Sequence, residues 1–217
     1  MDGLLLVNKP SGITSFDCIR NLRRRTGVKK IGHAGTLDPA ASGLMLMLFG
    51  TACKQAERFS KLDKTYLAEI TLGATSTTGD REGEIAPVSG TKPSREAVET
   101  TLVSFLGEIT QTPSIYSAIK INGQEAYKLA RKGQTPDMPS RLVTIRSLKL
   151  LAYDYPIVKV RADVSSGTYI RSLAADIGDK LETGAYLSNL IRTTVGEYAL
   201  DDAVELDNVT VDRIRAL

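Results

Sequence analysis

The sequence predicts an α+β protein organised around a mixed β-sheet. Strand-like segments, which show apolar runs or alternate apolar with polar residues, interleave with amphipathic segments of helical period. These segments do not follow the regular strand–helix–strand repeat of a fully parallel sheet, and this favours a mixed sheet. With 217 residues, 42% of them hydrophobic, the chain is long enough to bury a substantial core.

The first fifty residues give the clearest elements. Residues 3–7 are an apolar first strand. Ser15 is a typical helix N-cap, and the helix is predicted to run to about Thr26, with Gly27 as its stop. The unbroken apolar run of residues 44–49 predicts a buried strand. This part of the chain is therefore a strand, a helix, a glycine-bearing loop and a second strand.

The remaining elements follow from the same rules of periodicity and capping. Residues 113–141 leave this pattern and form an excursion from the sheet, with a short strand at 117–121, a turn at 122–123 and a helix at 124–132. The other predicted elements are a helix at 52–60, a strand at 66–72, a polar loop at 75–90, a Ser94-capped helix to about Leu106, paired strands at 142–153 and 157–164, a helix at 168–181 closed by Gly184, and a short helix from Asp207.

The stretch Gly32-His33-Ala34-Gly35-Thr36-Leu37-Asp38-Pro39 is the most informative part of the sequence. It places the only histidine of the chain and one carboxylate between glycines, with a proline directly after the acid. Glycine permits backbone geometry that other residues resist, and proline stiffens the chain. The stretch is thus predicted to be a stiff loop that presents Asp38 and His33. The alternative is a tight connector in which Asp38 only caps a turn.

Charge is distributed unevenly along the chain. The formal net charge is only +3, but six basic residues lie within eleven positions just before this loop: Arg20, Arg23, Arg24, Arg25, Lys29 and Lys30. A basic patch beside a candidate catalytic loop is what binding to an RNA backbone requires. The alternative is an ordinary solvated helix face.

The composition argues against several other classes of protein. No apolar run approaches the ~20 residues of a membrane span, so no membrane association is expected. Cys18 and Cys53 are far apart, which argues against a disulfide framework or a zinc site and fits a reducing cytoplasm. Neither a complete P-loop nor a dinucleotide-binding glycine motif is present. We therefore expect a cytoplasmic protein without a metal or a cofactor.

Five motifs in register resemble the TruB family of tRNA pseudouridine-55 synthases. The resemblance runs from about Leu5 to Gly196 and is specific because the order and separations of the motifs match together. The motifs are Asn8-Lys9-Pro10-Ser11-Gly12, the Gly32 to Pro39 stretch, Lys64-Thr65-Tyr66, Tyr116-Ser117-Ala118-Ile119-Lys120, and Gly167-Thr168-Tyr169-Ile170-Arg171-Ser172-Leu173.

This resemblance implies the pseudouridine synthase fold, a mixed, mainly antiparallel sheet with flanking helices and a central catalytic cleft. It also implies isomerisation of a uridine in the T-loop of tRNA by base flipping, cleavage of the glycosidic bond and re-formation of a C-glycoside. No redox step occurs, which agrees with the absence of a cofactor. Asp38 matches the catalytic acid, either as a nucleophile or as a base that removes a ribose proton.

Most of the other expected site residues lie in the same motifs, and Leu190 and Arg192 follow the last of them. Arg171 matches the arginine that pairs with the catalytic acid and keeps it ionised. Tyr66 matches the active-site tyrosine, whose ring can stack on the flipped base and whose phenol can assist proton transfer. His33 is placed to stack into the RNA, and Lys9 and Lys120 are phosphate or scaffold contacts. The remaining expected substrate contacts are Tyr169, Leu190 and Arg192.

The resemblance also predicts the organisation and partners of the chain. Residues 1–217 form a single catalytic domain, residues 113–141 are a thumb-like RNA-binding insertion, and the C-terminal PUA domain of the usual family chain is absent. The expected partner is the T-arm stem-loop of tRNA, bound by a monomer without an obligatory protein partner. The alternatives are a tRNA-binding folding chaperone, a synthase acting on another RNA, and an N-glycoside hydrolase that releases uracil.

Overall fold

The computed structural model describes residues 1–217 and contains strands, α-helices and short 3-10 helices. The strands are β1 Gly3–Lys9, β2 Ile31–Ala34, β3 Ser42–Phe49, β4 Lys64–Leu72, β5 Ala74–Ser76, β6 Ile85–Pro87, β7 Gly107–Gln111, β8 Lys120–Ile121, β9 Gln124–Glu125, β10 Arg141–Asp154, β11 Ile157–Val164, β12 Ala185–Val195, β13 Tyr198–Ala199 and β14 Val204–Glu205. The helices are α1 Ser15–Thr26, α2 Ala56–Ser60, α3 Arg95–Val103, α4 Ala126–Ala130 and α5 Ile170–Lys180.

The chain forms two compact units. The first unit comprises Met1–Leu67, Asp163–Ser166 and Leu190–Leu217, and the second comprises Ala68–Ala162 and Gly167–Asn189. Strands β4, β11 and β12 contribute residues to both units. Every one of the helices is too short or too polar to cross a bilayer.

The first unit is built on a mixed sheet, as predicted. Strand β3 pairs antiparallel with β1 and with β2, and it pairs in parallel with β12 through Ile191 opposite Ser42 and Arg192 opposite Gly43. Strand β14 adds a parallel partner to β1. The β3 run from Leu44 to Phe49 is fully buried, which explains why its sequence is continuously apolar rather than alternating.

Helix α1 confirms the predicted span but corrects its cap. The N-cap is Thr14 rather than Ser15, because Thr14 and Asp17 form a reciprocal capping box. Gly27 ends the helix with φ of +71°. Ser15 is instead buried, and its hydroxyl bonds the backbone of Leu37. A hydroxyl one residue past the cap therefore ties the helix to the glycine-bearing loop.

Several other boundaries differ from the prediction. The helix expected at 52–60 is a 3-10 helix, Gly50–Gln55, followed by the short α2. The polar loop expected at 75–90 contains the two-stranded pair β5–β6. Ser94 caps α3 as predicted, although this helix ends at Val103. The residues after Asp207 form only 3-10 turns, because no amphipathic run follows to stabilise a longer helix.

In the second unit, β10 pairs antiparallel with β7 and neighbours β11, which confirms the predicted pairing of residues 142–153 with 157–164. The 113–141 insertion holds the small β8–β9 hairpin, whose turn residues Asn122 and Gly123 have φ of +49° and +83°. Its predicted strand and helix are both shorter than expected, since Gln124 and Glu125 belong to β9 and α4 begins at Ala126.

Candidate active site

Asp38 lies on a loop that connects β2 with β3. Residues 35–41, called the Asp38 loop below, leave β2 at Gly35, whose φ is +87°. The expected loop is therefore present, but its extent needs a correction. His33 belongs to strand β2 and pairs with Met47 of β3, because Ile31 to Ala34 find hydrogen-bond partners along the longer strand.

The middle of the Asp38 loop is fixed by hydrogen bonds from helix α1 and from the loop itself. The Ser15 hydroxyl lies 2.9 Å from both the nitrogen and the carbonyl oxygen of Leu37. The amide of Ala41 donates to the carbonyl of Asp38 at 3.1 Å. Asp38 thus sits on a closed turn directly beside a buried anchor.

The end of the loop is held by the segment that follows β1. The carbonyl of Pro39 accepts from the amide of Gly12 at 2.8 Å and from the Lys9 ammonium at 3.2 Å, and the carbonyl of Ala40 accepts from the Ser11 hydroxyl at 2.8 Å. Lys9 is fully buried and also donates to the carbonyl of Ile13 at 2.7 Å. Of the two roles expected for Lys9, this geometry fits the scaffold.

The start of the loop is held by Arg192 of strand β12. Its guanidinium donates to the carbonyls of Gly35, Thr36 and Leu44, at 3.2, 3.3 and 2.8 Å. Together with the contacts above, every carbonyl from residue 35 to residue 40 accepts a hydrogen bond. A loop whose backbone carbonyls lack hydrogen-bond partners in the protein is usually mobile. In the Asp38 loop these carbonyls are all hydrogen-bonded, so we expect its backbone to be well ordered.

Two further basic groups lie near Arg192. Lys64 is buried and donates to the carbonyls of Ser60 and Leu62; burial, with a further contribution from the Arg192 charge, lowers its pKa to about 8. Burial also lowers the pKa of His33, and Arg192 adds to that effect. The His33 Nδ1 atom is buried without a hydrogen-bond partner. At neutral pH this histidine is therefore an uncharged ring.

Tyr66 and Leu190 also belong to the first unit. Tyr66 lies in β4 with 6% of its surface exposed, and Leu190 lies in β12 with 8% exposed. Both side chains are thus held by the core. Their expected contact with the flipped base stays a prediction, as does the RNA contact expected of His33.

Arg171 lies in the second unit, in the first turn of α5, which follows a turn at Gly167 with φ of +83°. It is 5% exposed, and its guanidinium donates to the carbonyls of Thr78 and Tyr116 at 2.8 and 2.9 Å. Its Nε lies 3.7 Å from the carboxylate of Asp80. The pairing of Arg171 with Asp38 stays a prediction.

Asp80 is a buried acid beside Arg171 that the sequence analysis did not identify. It is 6% exposed and accepts from the Thr78 hydroxyl at 2.6 Å and from the Glu82 amide at 3.0 Å. The spacing Asp80-x-Glu82-Gly83 is typical of an Asx turn, so a turn could have been predicted. Nothing in the local sequence indicates that this turn is buried against an arginine.

The remaining predicted contacts occupy different environments in the second unit. Tyr169 caps α5, and both its backbone nitrogen and its carbonyl bond the side chain of buried Gln111, a second residue that the sequence analysis missed. The Arg141 guanidinium lies 5.4 Å from the Tyr169 ring. Lys120 is exposed in the β8–β9 hairpin, where a phosphate contact is sterically open.

Solved structures share this architecture. A chain of a Cbf5-Nop10-Gar1 complex matches with a TM-score of 0.74 and 25% identity, over 95% of this chain and 53% of that chain. A chain of an H/ACA RNP bound to a substrate RNA containing 2'-deoxyuridine has a TM-score of 0.72 at 24% identity, over 95% and 51%, and speaks for the fold. The protein has the pseudouridine synthase fold.

Sequence relatives narrow this class to one family. The model of the TruB family pseudouridylate synthase N-terminal domain matches residues 23–170, and that of the tRNA pseudouridylate synthase B C-terminal domain matches residues 171–214. The chain belongs to the TruB family of pseudouridylate synthases.

Curated relatives carry the name tRNA pseudouridine synthase B. The protein from Burkholderia lata is 48% identical over 95% of this chain and 64% of its own length. That from Protochlamydia amoebophila is 44% identical over 97% of this chain and 81% of its own. The chain thus spans just under two thirds of the length of the Burkholderia lata relative.

Proposed function

We propose that this protein converts a uridine in the T-loop of tRNA to pseudouridine, with Asp38 as the catalytic carboxylate. Its relatives named tRNA pseudouridine synthase B support the activity. The structural observation that carries the proposal is the Asp38 loop, in which each carbonyl from residue 35 to residue 40 is hydrogen-bonded. A fixed loop backbone keeps the Asp38 carboxylate in one position, and a catalytic group has to be held in one position relative to the reacting atoms.

The reaction balances without an oxidant, a reductant or a metal. The bond between N1 of uracil and C1′ of ribose breaks, the base turns, and a bond forms between C5 and C1′, while the hydrogen of C5 is lost as a proton and N1 takes one up. A carboxylate can act as a nucleophile at C1′ or remove a ribose proton. Both routes need the ionised form of Asp38.

The target base has to leave the RNA stack before it can reach this carboxylate, at a cost of a few kcal/mol. The buried ring of Tyr66 and the side chain of Leu190 are the proposed walls for the flipped base. Burial lowers the pKa of His33 from its ordinary value, so its proposed contribution is stacking by a neutral ring rather than charge. In this role it fills space that the flipped base leaves.

RNA binding is proposed for two basic surfaces. On helix α1 and the segment after it, Arg23, Arg24, Lys29 and Lys30 are exposed, whereas Arg20 pairs with Asp17 and Arg25 pairs with Asp207. In the 113–141 insertion, the cations of Arg131 and of Lys128, which also pairs with Glu125, lie 5.6 and 5.9 Å from the ring of Tyr127. Cations interleaved with an aromatic ring suit contact with phosphates and unstacked bases.

The finer assignments are proposals of the same kind. The T-arm stem-loop is the proposed minimal substrate because it contains the target loop. A monomer without a protein partner is proposed because all predicted site residues belong to one chain. A cytoplasmic location is proposed, since tRNA is modified there and both cysteines are free thiols.

Tritium release from a T-arm transcript labelled at carbon 5 of uridine tests the function. Isomerisation transfers the tritium to water, and the product RNA keeps its uracil ring as a C-glycoside. An N-glycoside hydrolase would release tritiated uracil instead. RNA binding with no tritium release would assign the chain to the chaperone class and overturn the proposal.

A further inference from the structure

We propose that Arg192 is a positioning residue for Asp38, which it controls through the backbone of the Asp38 loop, and that it makes no contact with RNA. This inference rests on the proposed function, because it names a further residue that the same reaction needs. It replaces the substrate-contact role expected for Arg192 from the sequence.

The first argument is the burial and saturation of the guanidinium. Arg192 is fully buried, and its Nε and both terminal nitrogens each donate to a backbone carbonyl. These carbonyls belong to Gly35 and Thr36 at the start of the loop and to Leu44 just after its end. One side chain therefore holds the two ends of the loop together.

The second argument is how closely Arg192 approaches the backbone at the start of the loop and just after its end. Gly43 pairs with Arg192 in the sheet at φ of +108°, and a Cβ there would lie 2.3 Å from the Arg192 carbonyl oxygen. A Cβ on Gly35, at φ of +87°, would lie 3.4 Å from an Arg192 terminal nitrogen. Gly43 therefore has no room for a side chain against the main chain of residue 192, whereas at Gly35 the positive φ requires glycine and the 3.4 Å approach shows only that the Arg192 side chain packs directly on the loop.

The third argument is chemical. All three hydrogen bonds of Arg192 go to neutral carbonyls. The guanidinium charge is therefore stabilised by peptide dipoles and not by a carboxylate. The planar fork of arginine can reach three acceptors at once, which the single ammonium of lysine cannot do in the same geometry. Burial lowers the pKa of neighbouring Lys64 to about 8, and the Arg192 charge adds to this effect, so the guanidinium charge lies close to the start of β4. Arg192 is built to hold a backbone in place.

A positioning role predicts a specific kinetic pattern for Arg192→Gln and Arg192→Lys. A displacement of about 1 Å at a catalytic group typically costs about 100-fold in rate. We expect Arg192→Gln to lower kcat on T-arm RNA about 100-fold with KM nearly unchanged, and Arg192→Lys to recover only part of the loss. The slope of RNA affinity against salt should stay at the wild-type value in both variants, because no phosphate contact is removed.

Amide exchange of Leu37 and Ala41 gives a second readout that needs no RNA. The Leu37 amide donates to the Ser15 hydroxyl of α1, and the Ala41 amide donates to the Asp38 carbonyl. They should exchange faster in the Arg192 variants while amides of the β3 core keep their protection. Lys149→Gln, which removes an exposed cation from β10, is the matched control and should leave kcat, salt slope and exchange unchanged.

Each outcome decides between alternatives. An unchanged kcat with a raised KM and a flatter salt slope would make Arg192 an RNA contact and overturn the inference. Faster exchange with full kcat would leave only a structural role, and unfolding of both variants at the assay temperature would assign Arg192 to the fold as a whole. If the wild-type chain releases no tritium, the proposed function is wrong. The amide-exchange measurement needs no RNA, so it still tests whether Arg192 holds the Asp38 loop.

Discussion

Two buried arginines hold backbone carbonyls in this protein, one in each compact unit, and they differ in what accompanies them. Arg192 donates to three carbonyls of the Asp38 loop and its flank. Arg171 donates to the carbonyls of Thr78 and Tyr116 and has the carboxylate of Asp80 3.7 Å from its Nε. Both side chains are at most 5% exposed.

The difference separates two ways of using the same side chain. Arg192 donates all of its hydrogen bonds to backbone carbonyls that shape the loop carrying Asp38. Arg171 is held by the carbonyl of Thr78, on the turn that also supplies Asp80, and by the carbonyl of Tyr116, so its charge has an acid beside it. We therefore expect loss of Arg192 to act through geometry, and loss of Arg171 to act through charge.

The largest effect should come from the carboxylate that the Asp38 loop presents. Asp38→Asn keeps the shape of the side chain and removes its charge, so pseudouridine formation should fall below detection while RNA binding and thermal stability stay near wild type. Single-turnover tritium release, with Asp154→Asn on an exposed position of β10 as the control, measures this. Near-normal turnover by the Asn variant would remove Asp38 from the mechanism.

Arg171 comes next. Removing one member of a buried charge pair typically destabilises a fold by about 3–5 kcal/mol, and a transition state that depends on the pair to the same extent loses about two to four orders of magnitude in rate. Arg171→Ala should lose activity on that scale, and Arg171→Lys should recover poorly because a lysine cannot reach both carbonyls. Wild-type kinetics in both variants would show that this network is not needed.

The Asp80 partner gives a smaller effect that sharpens the comparison. Asp80→Asn keeps an oxygen that can accept from Thr78 or Glu82 but removes the charge beside Arg171. A loss of about tenfold in kcat is expected, smaller than for Arg171→Ala, because the arginine keeps its two carbonyl bonds and loses only a charge 3.7 Å from its Nε. An Asn variant as impaired as Arg171→Ala would mean that Asp80, and not the carbonyls, positions the arginine.

The basic face of α1 should affect binding rather than the chemical step. Each phosphate contact on single-stranded RNA contributes about 0.7 to the log–log salt slope, so replacing Arg23, Arg24 and Lys29 together by alanine should reduce the slope by about 2. KM should rise while kcat at saturating RNA changes little. Filter binding over a salt series is the measurement, and an unchanged slope would exclude this face from RNA binding.

The smallest expected effect concerns the pKa of His33, which burial lowers and the charge of Arg192 lowers further. The folded pKa is below 6.5, so below that pH the unfolded chain binds a proton more readily and stability declines as the pH falls. The neutral histidine is fully accommodated above pH of about 6.5. As the only histidine, it gives one imidazole signal in an NMR titration. Arg192→Gln should raise the pKa of His33, because it removes a nearby positive charge. An unchanged His33 pKa would show that the Arg192 charge does not act on this histidine.

Local sequence was enough for the elements that depend on local rules. The apolar run at residues 44–49, the capped helix at 15–26 and the glycine-bracketed Asp38 loop each follow from periodicity or turn chemistry, and the structure contains all three. His33 was misplaced into the loop because Ile31 to Ala34 is too short to show alternation. Its strand exists only because β3 offers hydrogen-bond partners.

Contacts between distant parts of the chain could not be predicted in the same way. Arg192 lies about 150 positions after the carbonyls that it holds, and Arg171 lies 91 positions after Asp80. Strands β7 and β12 were not predicted either, since each is defined by its sheet partners more than by its own residue pattern. Motif spacing indicated that these arginines matter, but not which atoms they bind.

Mapping pseudouridine in an unmodified tRNA transcript after incubation with the purified chain tests the central claim most directly. We predict conversion of one uridine, in the T-loop, by the wild-type protein, and no conversion by Asp38→Asn at equal RNA occupancy. A transcript that remains unmodified although it is bound, or conversion spread over other parts of the tRNA, would contradict the claim.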